Sequence, residues 1–97
     1  MSQDRPKAVP KEMISNARFK VTEWRFAPGA QTGWHRHQHD YVVVPMTTGR
    51  LLLEEKSGNR YAELRTGEPY SRPVGVEHNV INANDREFVF IEIEAIP

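Results

Sequence analysis

The sequence predicts an all-β protein, a small antiparallel barrel. Short runs rich in β-branched and aromatic residues alternate with turn signals at short, fairly regular spacing, which is typical of strands in a barrel or sandwich. No window of about a dozen residues carries the apolar stripe of period 3.6 that an amphipathic helix needs. Together these two observations favour a fold built from strands alone.

The expected elements follow from this pattern in chain order. Residues 1–14 carry two prolines and few apolar side chains, so we expect a tail or an arm that orders against a partner subunit. Residues 15–97 are then the barrel domain. Its expected strands cover residues 17–26, 41–46, 50–56, 60–65 and 87–93. Pro45 indicates an edge position or a strand end, and the turn at residues 57–59 predicts a hairpin.

Size and composition narrow the function. The 97 residues allow one domain, and lysine plus arginine balance aspartate plus glutamate at 13 each, so no nucleic-acid surface is expected. The sequence holds neither a membrane-spanning apolar run nor a signal peptide, and we expect a cytoplasmic protein. Because cysteine is absent, any metal ligand must be a histidine, a carboxylate or a tyrosine.

Three of the four histidines lie close together, at His35, His37 and His39. On an extended strand, side chains two residues apart point to the same face, about 6–7 Å from each other. His35 and His37 are therefore able to converge on one ion if a distant strand supplies a third ligand. Such a pair alone is common on surface strands and does not establish a site.

A second segment supplies the third histidine, His78. Gly67, Pro73, Gly75, His78 and Asn82 fill all five fixed positions of the pattern G-x5-P-x-G-x2-H-x3-N. This is the second motif of the cupin superfamily, which the chain resembles over residues 17–94. The resemblance implies the double-stranded β-helix, or jelly-roll barrel, of that family.

The first cupin motif, G-x5-H-x-H-x(3,4)-E-x6-G, is matched in all but one position. Gly29, His35 and His37 match at the right spacing, and Gly49 matches if the gap after His37 takes its longer form. No carboxylate fills the glutamate position, because the shorter gap places Tyr41 there and the longer gap places Val42 there. The chain therefore departs from the family pattern at one ligand.

By this resemblance, His35, His37 and His78 are expected to hold one divalent transition metal: Fe, Zn, Ni or Mn. Three neutral imidazoles leave the charge of the ion uncompensated and leave coordination positions open, which favours an anionic ligand. The set is similar to the three-histidine iron sites of some cupin dioxygenases, such as the thiol dioxygenases and the β-diketone-cleaving enzyme.

A fourth contact to the metal or to its ligand is open between Tyr41 and His39, and Asp40 is expected in the surroundings of the site. Tyr41 is expected to hydrogen-bond a bound ligand rather than ligate, since its phenol must lose a proton of pKa near 10; packing against Trp34 is the alternative. His39 is either an additional ligand or a turn residue paired with Asp40. Asp40 is otherwise a carboxylate that orients an imidazole from outside the coordination sphere.

The remaining motif residues are interpreted as fold residues. Gly67 and Gly75 permit positive φ, Pro73 stiffens a turn, and Asn82 ties its strand to a neighbouring loop. Gly29 and Gly49 belong to the same structural set. Side chains in phase with the histidines are expected to form an apolar pocket for a small organic molecule. They are Val43, Val76 and Val80.

Three functional hypotheses follow. The first is a metal-dependent enzyme, with dioxygenase-like chemistry on a small polar or anionic molecule or, without redox chemistry, isomerase or lyase activity. The second is a module that binds or senses a small ligand, and the third is a structural protein. A homodimer is expected, because exposed sheet edges in a small barrel need cover.

Overall fold

Nine strands make up the regular structure of residues 5–97, the part of the chain that the computed structural model describes. They are β1 (Val9–Ser15), β2 (Phe19–Phe26), β3 (His35–Arg36), β4 (Tyr41–Pro45), β5 (Gly49–Glu55), β6 (Gly58–Leu64), β7 (Tyr70–Arg72), β8 (Glu77–Asn82) and β9 (Phe88–Ala95). None of the described residues is helical, and so none belongs to a helix able to cross a membrane. The predicted all-β class is confirmed.

The strands form two antiparallel sheets. The five-stranded sheet has the order β1-β2-β9-β4-β7 and the four-stranded sheet the order β3-β8-β5-β6. Along β4 buried and half-buried positions alternate, because successive side chains point to opposite faces. Side chains from the inner faces of both sheets share one core. Its members include Phe26, Val43, Leu51, Leu53, Val80, Phe88 and Phe90.

Strand β1 covers much of the segment, residues 1–14, for which a tail or an arm is expected. Val9–Ser15 pair with β2, and Pro10 lies opposite Trp24. A proline is tolerated there because β1 is an edge strand, where a missing ladder donor costs little. All of β1 is exposed, so its low apolar content is that of an edge strand rather than of a tail. Residues 1–4 lie outside the described part of the chain.

The predicted hairpin and strand end are both present. Strands β5 and β6 pair along their full length and end with Glu55 opposite Gly58. Pro45 is the last residue of β4. Proline has no backbone N–H, so the missing hydrogen-bond donor falls at the end of the strand. The hairpin contributes Leu51 and Leu53 of β5 and Leu64 of β6 to the core.

Asn82 fixes β8 relative to its surroundings. Its Nδ2 donates to the carbonyl oxygens of Phe26, Ala27 and Arg86 at 3.1, 3.2 and 2.8 Å. Its Oδ1 accepts from the backbone N–H of Asn84 at 2.9 Å. Since Asn82 is only 2% exposed, these bonds satisfy a buried amide and tie β8 to the end of β2.

A backbone contact links the two histidine segments. Gly75, in the loop before β8, has φ of 96° and donates its N–H to the carbonyl oxygen of His37 at 2.9 Å. The N–H of His37 in turn donates to the carbonyl oxygen of Val76 at 2.8 Å. A glycine adopts this φ without the strain that a Cβ would bring. The loop that precedes His78 therefore holds the backbone of His37 in place.

Candidate metal centre

Three imidazoles meet at one point between the sheets. His35 on β3 lies directly opposite His78 on β8, and His37 follows β3 immediately. Nε2 of His37 lies 3.0 Å from Nε2 of His35 and 3.2 Å from Nε2 of His78. His37 and His78 are buried, and His35 is half-buried. The structure thus brings together the three histidines that the motifs single out.

These spacings suit a metal ion. Imidazole nitrogens bind Zn²⁺ at about 2.0–2.1 Å, so two ligands at right angles around one ion lie about 3 Å apart. Ring nitrogens this close repel each other through their lone pairs unless a proton or a cation lies between them. An all-imidazole donor set of this kind fits a divalent transition metal, although it does not distinguish among Fe, Zn, Ni and Mn.

The outer nitrogen of each imidazole has a different environment. Nδ1 of His35 donates to the carbonyl oxygen of Gly33 at 2.8 Å, which leaves Nε2 unprotonated and directed at the centre. Nδ1 of His37 lies 3.9 Å from Oε2 of Glu92. Nδ1 of His78 is buried and has no hydrogen-bond partner among residues 5–97. The outer nitrogens of the three imidazoles thus face a carbonyl oxygen at hydrogen-bond distance, a carboxylate at 3.9 Å and no polar partner among residues 5–97, respectively.

Tyr41 stands at the motif position from which the glutamate is missing, and its ring stacks on His37. The two ring centroids are 3.8 Å apart and the planes differ by 17°. Burial raises the pKa of the Tyr41 phenol well above its usual value, so the hydroxyl keeps its proton at neutral pH. Trp34, the alternative packing partner, is 49% exposed. The structure gives Tyr41 a contact with an imidazole and keeps it a hydrogen-bond donor.

Glu92 on β9 is a buried carboxylate to which neither motif points. Its Oε1 accepts from Nε1 of Trp24 at 3.4 Å, and burial raises its pKa to about 7. The signal for it is the period of β9, because Phe88, Phe90 and Glu92 share the inward face. A glutamate that continues an apolar inward face predicts a buried carboxylate.

The comparisons with known proteins establish the family of the chain. The family model of the cupin domain matches residues 22–94. The chain belongs to the cupin family. The curated Beta-alanine degradation protein BauB of Pseudomonas aeruginosa is 62% identical to this cupin over 90 residues, which are 93% of this chain and 95% of the relative.

Solved structures extend the comparison to the fold. The crystal structure of a cupin domain from Bordetella pertussis has a TM-score of 0.96 at 62% identity and covers 97% of this chain and 98% of its own. An RmlC-like cupin of double-stranded β-helix fold from Methanocaldococcus jannaschii has a TM-score of 0.77 at 16% identity, with coverages of 97% and 84%. The latter is a likeness of fold alone. The expected family and fold are confirmed.

Two residues beside the histidine motif of this cupin lie away from the three imidazoles. Asp40 is exposed, and its Oδ1 accepts from the backbone N–H of Val74 at 2.8 Å. It therefore fixes the loop before β8 and orients no imidazole. His39 lies in the bend before β4, outside the cluster of the other three histidines. Bends of this kind are set by loop hydrogen bonds, which motif spacing does not reveal.

A cavity of about 530 Å³ opens onto the imidazoles. Val43 and Val80 line it, whereas Val76 packs against the core instead. The two valines form an apolar wall near the histidines, and charged side chains complete the lining. They are Glu12, Lys20, Arg36, Arg72, Glu92 and Glu94. The space accommodates a small organic molecule that carries charge.

The buried histidines are neutral at neutral pH. Burial lowers the pKa of His37 to about 3 and that of His78 to about 4, and the neighbouring His35 acts in the same direction. A metal ligand must offer an unprotonated nitrogen, so neutral imidazoles are ready to bind without first losing a proton.

Proposed function

We propose that this cupin holds one divalent transition metal on the Nε2 atoms of His35, His37 and His78 and uses it to act on a small organic anion. The observation that carries the proposal is the convergence of these three atoms, at 3.0 and 3.2 Å, on the wall of the cavity. When bound, such a metal supplies open coordination positions and, if it is iron, redox chemistry with oxygen.

Other residues of the cavity are suited to exclude water and to hold the organic anion. Val43 and Val80 keep the inner part of the cavity apolar and exclude bulk water. The protonated hydroxyl of Tyr41, which also lines the cavity, is available to donate to a bound ligand. Arg72 lies at the same wall and supplies a positive charge for a carboxylate. These features favour an acidic ligand held between the metal and the mouth of the cavity.

The named relative supports a substrate class. BauB of Pseudomonas aeruginosa is a β-alanine degradation protein, and its 62% identity extends over 95% of its length. β-Alanine carries a carboxylate and an ammonium group, and the cavity offers Arg72 for the first and Glu94 for the second. We therefore propose a short ω-amino acid, or a carboxylate of similar size derived from one, as the molecule on which the site acts.

The expected homodimer is part of this proposal. Strand β1 is an exposed edge whose ladder groups are unpaired on one side. It presents Val9, Met13 and Ile14, which are 61%, 50% and 50% exposed. A second copy of the chain that covers this edge removes apolar surface from water and occupies the free ladder groups.

A measurement of metal content tests whether the histidine cluster binds an ion. Purified protein is loaded with Fe²⁺, Zn²⁺, Ni²⁺ or Mn²⁺, dialysed, and measured for bound metal beside His78→Ala and His39→Ala. We expect about one ion per chain in the wild type and in His39→Ala, and almost none in His78→Ala. A wild type that takes up none of the four metals contradicts the proposal.

Turnover separates an enzyme from a sensor. The loaded protein is mixed with β-alanine and related short carboxylates while oxygen consumption and product formation are followed. Oxygen uptake with the iron form supports dioxygenase chemistry, and turnover without oxygen uptake supports an isomerase or lyase. Tight ligand binding with no turnover supports the sensing alternative.

A further inference from the structure

The carboxylate that the first motif lacks has a counterpart on another strand. Tyr41 occupies the motif position on β4, and β4 pairs with β9 so that Val43 lies opposite Glu92. Glu92 is only 9% exposed and lines the same cavity as the three histidines. A carboxyl group is thus present beside the centre, although it comes from β9 rather than from the strand that follows the histidine pair.

The two oxygens of Glu92 have different neighbours. Oε1 accepts from Nε1 of Trp24 at 3.4 Å, which holds one side of the carboxylate. Oε2 faces Nδ1 of His37 at 3.9 Å. A full hydrogen bond is about 3 Å long, so a movement of about an ångström closes the gap.

The contacts of the two ring nitrogens of His37 show on which side of the imidazole the Glu92 carboxylate lies. Its Nε2 points at His35 and His78, and its Nδ1, across the ring, points at Glu92. Glu92 therefore lies on the side of the His37 imidazole that faces away from His35 and His78. The stacked ring of Tyr41 restrains His37 further, because its plane is within 17° of the imidazole plane.

From this geometry, and on the basis of the metal site proposed above, we infer that Glu92 is a positioning residue that replaces the missing glutamate from outside the coordination sphere. Its carboxylate accepts the Nδ1–H of His37, which directs the unprotonated Nε2 at the metal. It also places a negative charge next to a cationic centre that has only neutral ligands. Carboxylate partners of this kind raise the basicity of a metal-bound imidazole.

The experiment compares Co²⁺ affinity, by chelator competition, among the wild type, Glu92→Gln and Glu12→Gln. Glu12 lies on the exposed strand β1 and lines the same cavity, but it is not among the described carboxylates that lie close to His37, so its replacement removes an equal charge and leaves the His37 contact in place. We expect Glu92→Gln to bind about 10-fold to 100-fold more weakly, and Glu12→Gln to lose less than about 3-fold.

A second measurement reports the hydrogen bond itself. In the Zn²⁺-loaded wild type, NMR is expected to show a strongly downfield Nδ1–H proton for His37, which moves upfield in Glu92→Gln and stays in place in Glu12→Gln. Glu92→Asp keeps a carboxylate but withdraws it by one methylene, and we expect an intermediate affinity. This variant also provides the test if Glu92→Gln does not fold.

Each outcome bears on a different claim. Wild-type affinity in Glu92→Gln, or an equal loss in Glu12→Gln, overturns the role of Glu92 and leaves the three-histidine site intact. A wild type that binds no Co²⁺ overturns the metal site and the role of Glu92 together. A cobalt absorption spectrum that changes coordination number in Glu92→Gln overturns the outer position, since it shows that Glu92 is itself a ligand.

Discussion

The phenol ring of Tyr41 lies flat on the imidazole of His37, with the ring centroids 3.8 Å apart. Substitutions can separate two roles of Tyr41, because stacking on His37 depends on the ring and binding of the organic anion depends on the hydroxyl. Tyr41→Phe keeps the ring, so we expect metal affinity within about 2-fold of the wild type and weaker binding of the organic anion. Tyr41→Leu removes the stack, and metal affinity is expected to fall several-fold.

Calorimetry with metal, and then with the anion, measures the two effects separately. Val42→Leu is the control, because Val42 is the next residue of β4 and points to the opposite face. Equal metal affinities for Tyr41→Leu and the wild type contradict the role given to the stack.

Asn82 is expected to matter for stability more than for metal chemistry. Asn82→Ala leaves the carbonyl oxygens of Phe26, Ala27 and Arg86 without their shared donor inside the protein. We expect the free energy of unfolding to fall by about 2–4 kcal/mol, since buried polar groups without partners are costly. Urea unfolding of the metal-free protein measures this loss. Asn59→Ala, at an exposed position of β6, is expected to change little.

Gly49 is required for close approach rather than for positive φ. A Cβ added there meets Oδ1 of Asn84 at 2.8 Å and Nδ2 at 2.9 Å. That amide is held by the backbone of Arg50, which donates its N–H to Oδ1 at 3.0 Å and accepts from Nδ2 at 2.8 Å, so it does not yield freely. We expect Gly49→Ala to cost about 1–3 kcal/mol.

A double-mutant cycle tests whether a clash with Asn84 causes the loss of stability in Gly49→Ala. If the clash with Asn84 is responsible, Gly49→Ala in an Asn84→Ala background costs clearly less than it does alone. Purely additive losses in the two single variants and the double variant contradict this explanation.

The motifs predict the imidazole cluster well, because their spacing fixes both the strand and the face of each histidine. They contain no information on the positions of Asp40 and Glu92, for two different reasons. Asp40 lies in a bend, where hydrogen bonds such as that to Val74 set the direction of the side chain. Glu92 becomes part of the site only through the pairing of β9 with β4, a long-range relationship that no local pattern contains.

Strand β1 shows a related limit. Its composition indicates a tail because an edge strand needs neither an apolar run nor freedom from proline. What identifies it as a strand is its ladder with β2, and this pairing cannot be derived from residues 9–15 by themselves. The fold class was therefore easier to predict than the full number of strands.

The exposed edge of β1 gives a direct test of the homodimer. Ile14→Glu places a charge on an apolar surface that is 50% exposed in the single chain. We expect a dimeric mass for the wild type and a monomeric mass for the variant, measured by light scattering at equal concentration. Tyr61→Glu, at an exposed apolar position on β6, is the control and is expected to remain dimeric.

Acid is expected to destabilise the metal-free protein. The folded state lowers the pKa of His37 to about 3 and of His78 to about 4, whereas unfolded histidines take up protons below about 6.5. Between these values the unfolded state binds more protons, so the free energy of unfolding falls as the pH falls from about 6.5. Each of the two histidines contributes on the order of 1 kcal/mol per pH unit.

Glu92 acts in the opposite direction over part of this range. Its pKa is raised from 4.5 to about 7 in the folded protein, so between those values the folded state holds a proton that the unfolded state lacks. Its contribution therefore grows as the pH falls from about 7 to 4.5 and offsets one of the two histidines. Removal of this carboxylate in Glu92→Gln is expected to steepen the acid loss of stability between pH 6.5 and 4.5. Urea unfolding of the metal-free wild type and of metal-free Glu92→Gln at pH 7.5, 6.5, 5.5 and 4.5 measures how the free energy of unfolding changes with pH. The same pH dependence in both proteins contradicts the raised pKa of Glu92.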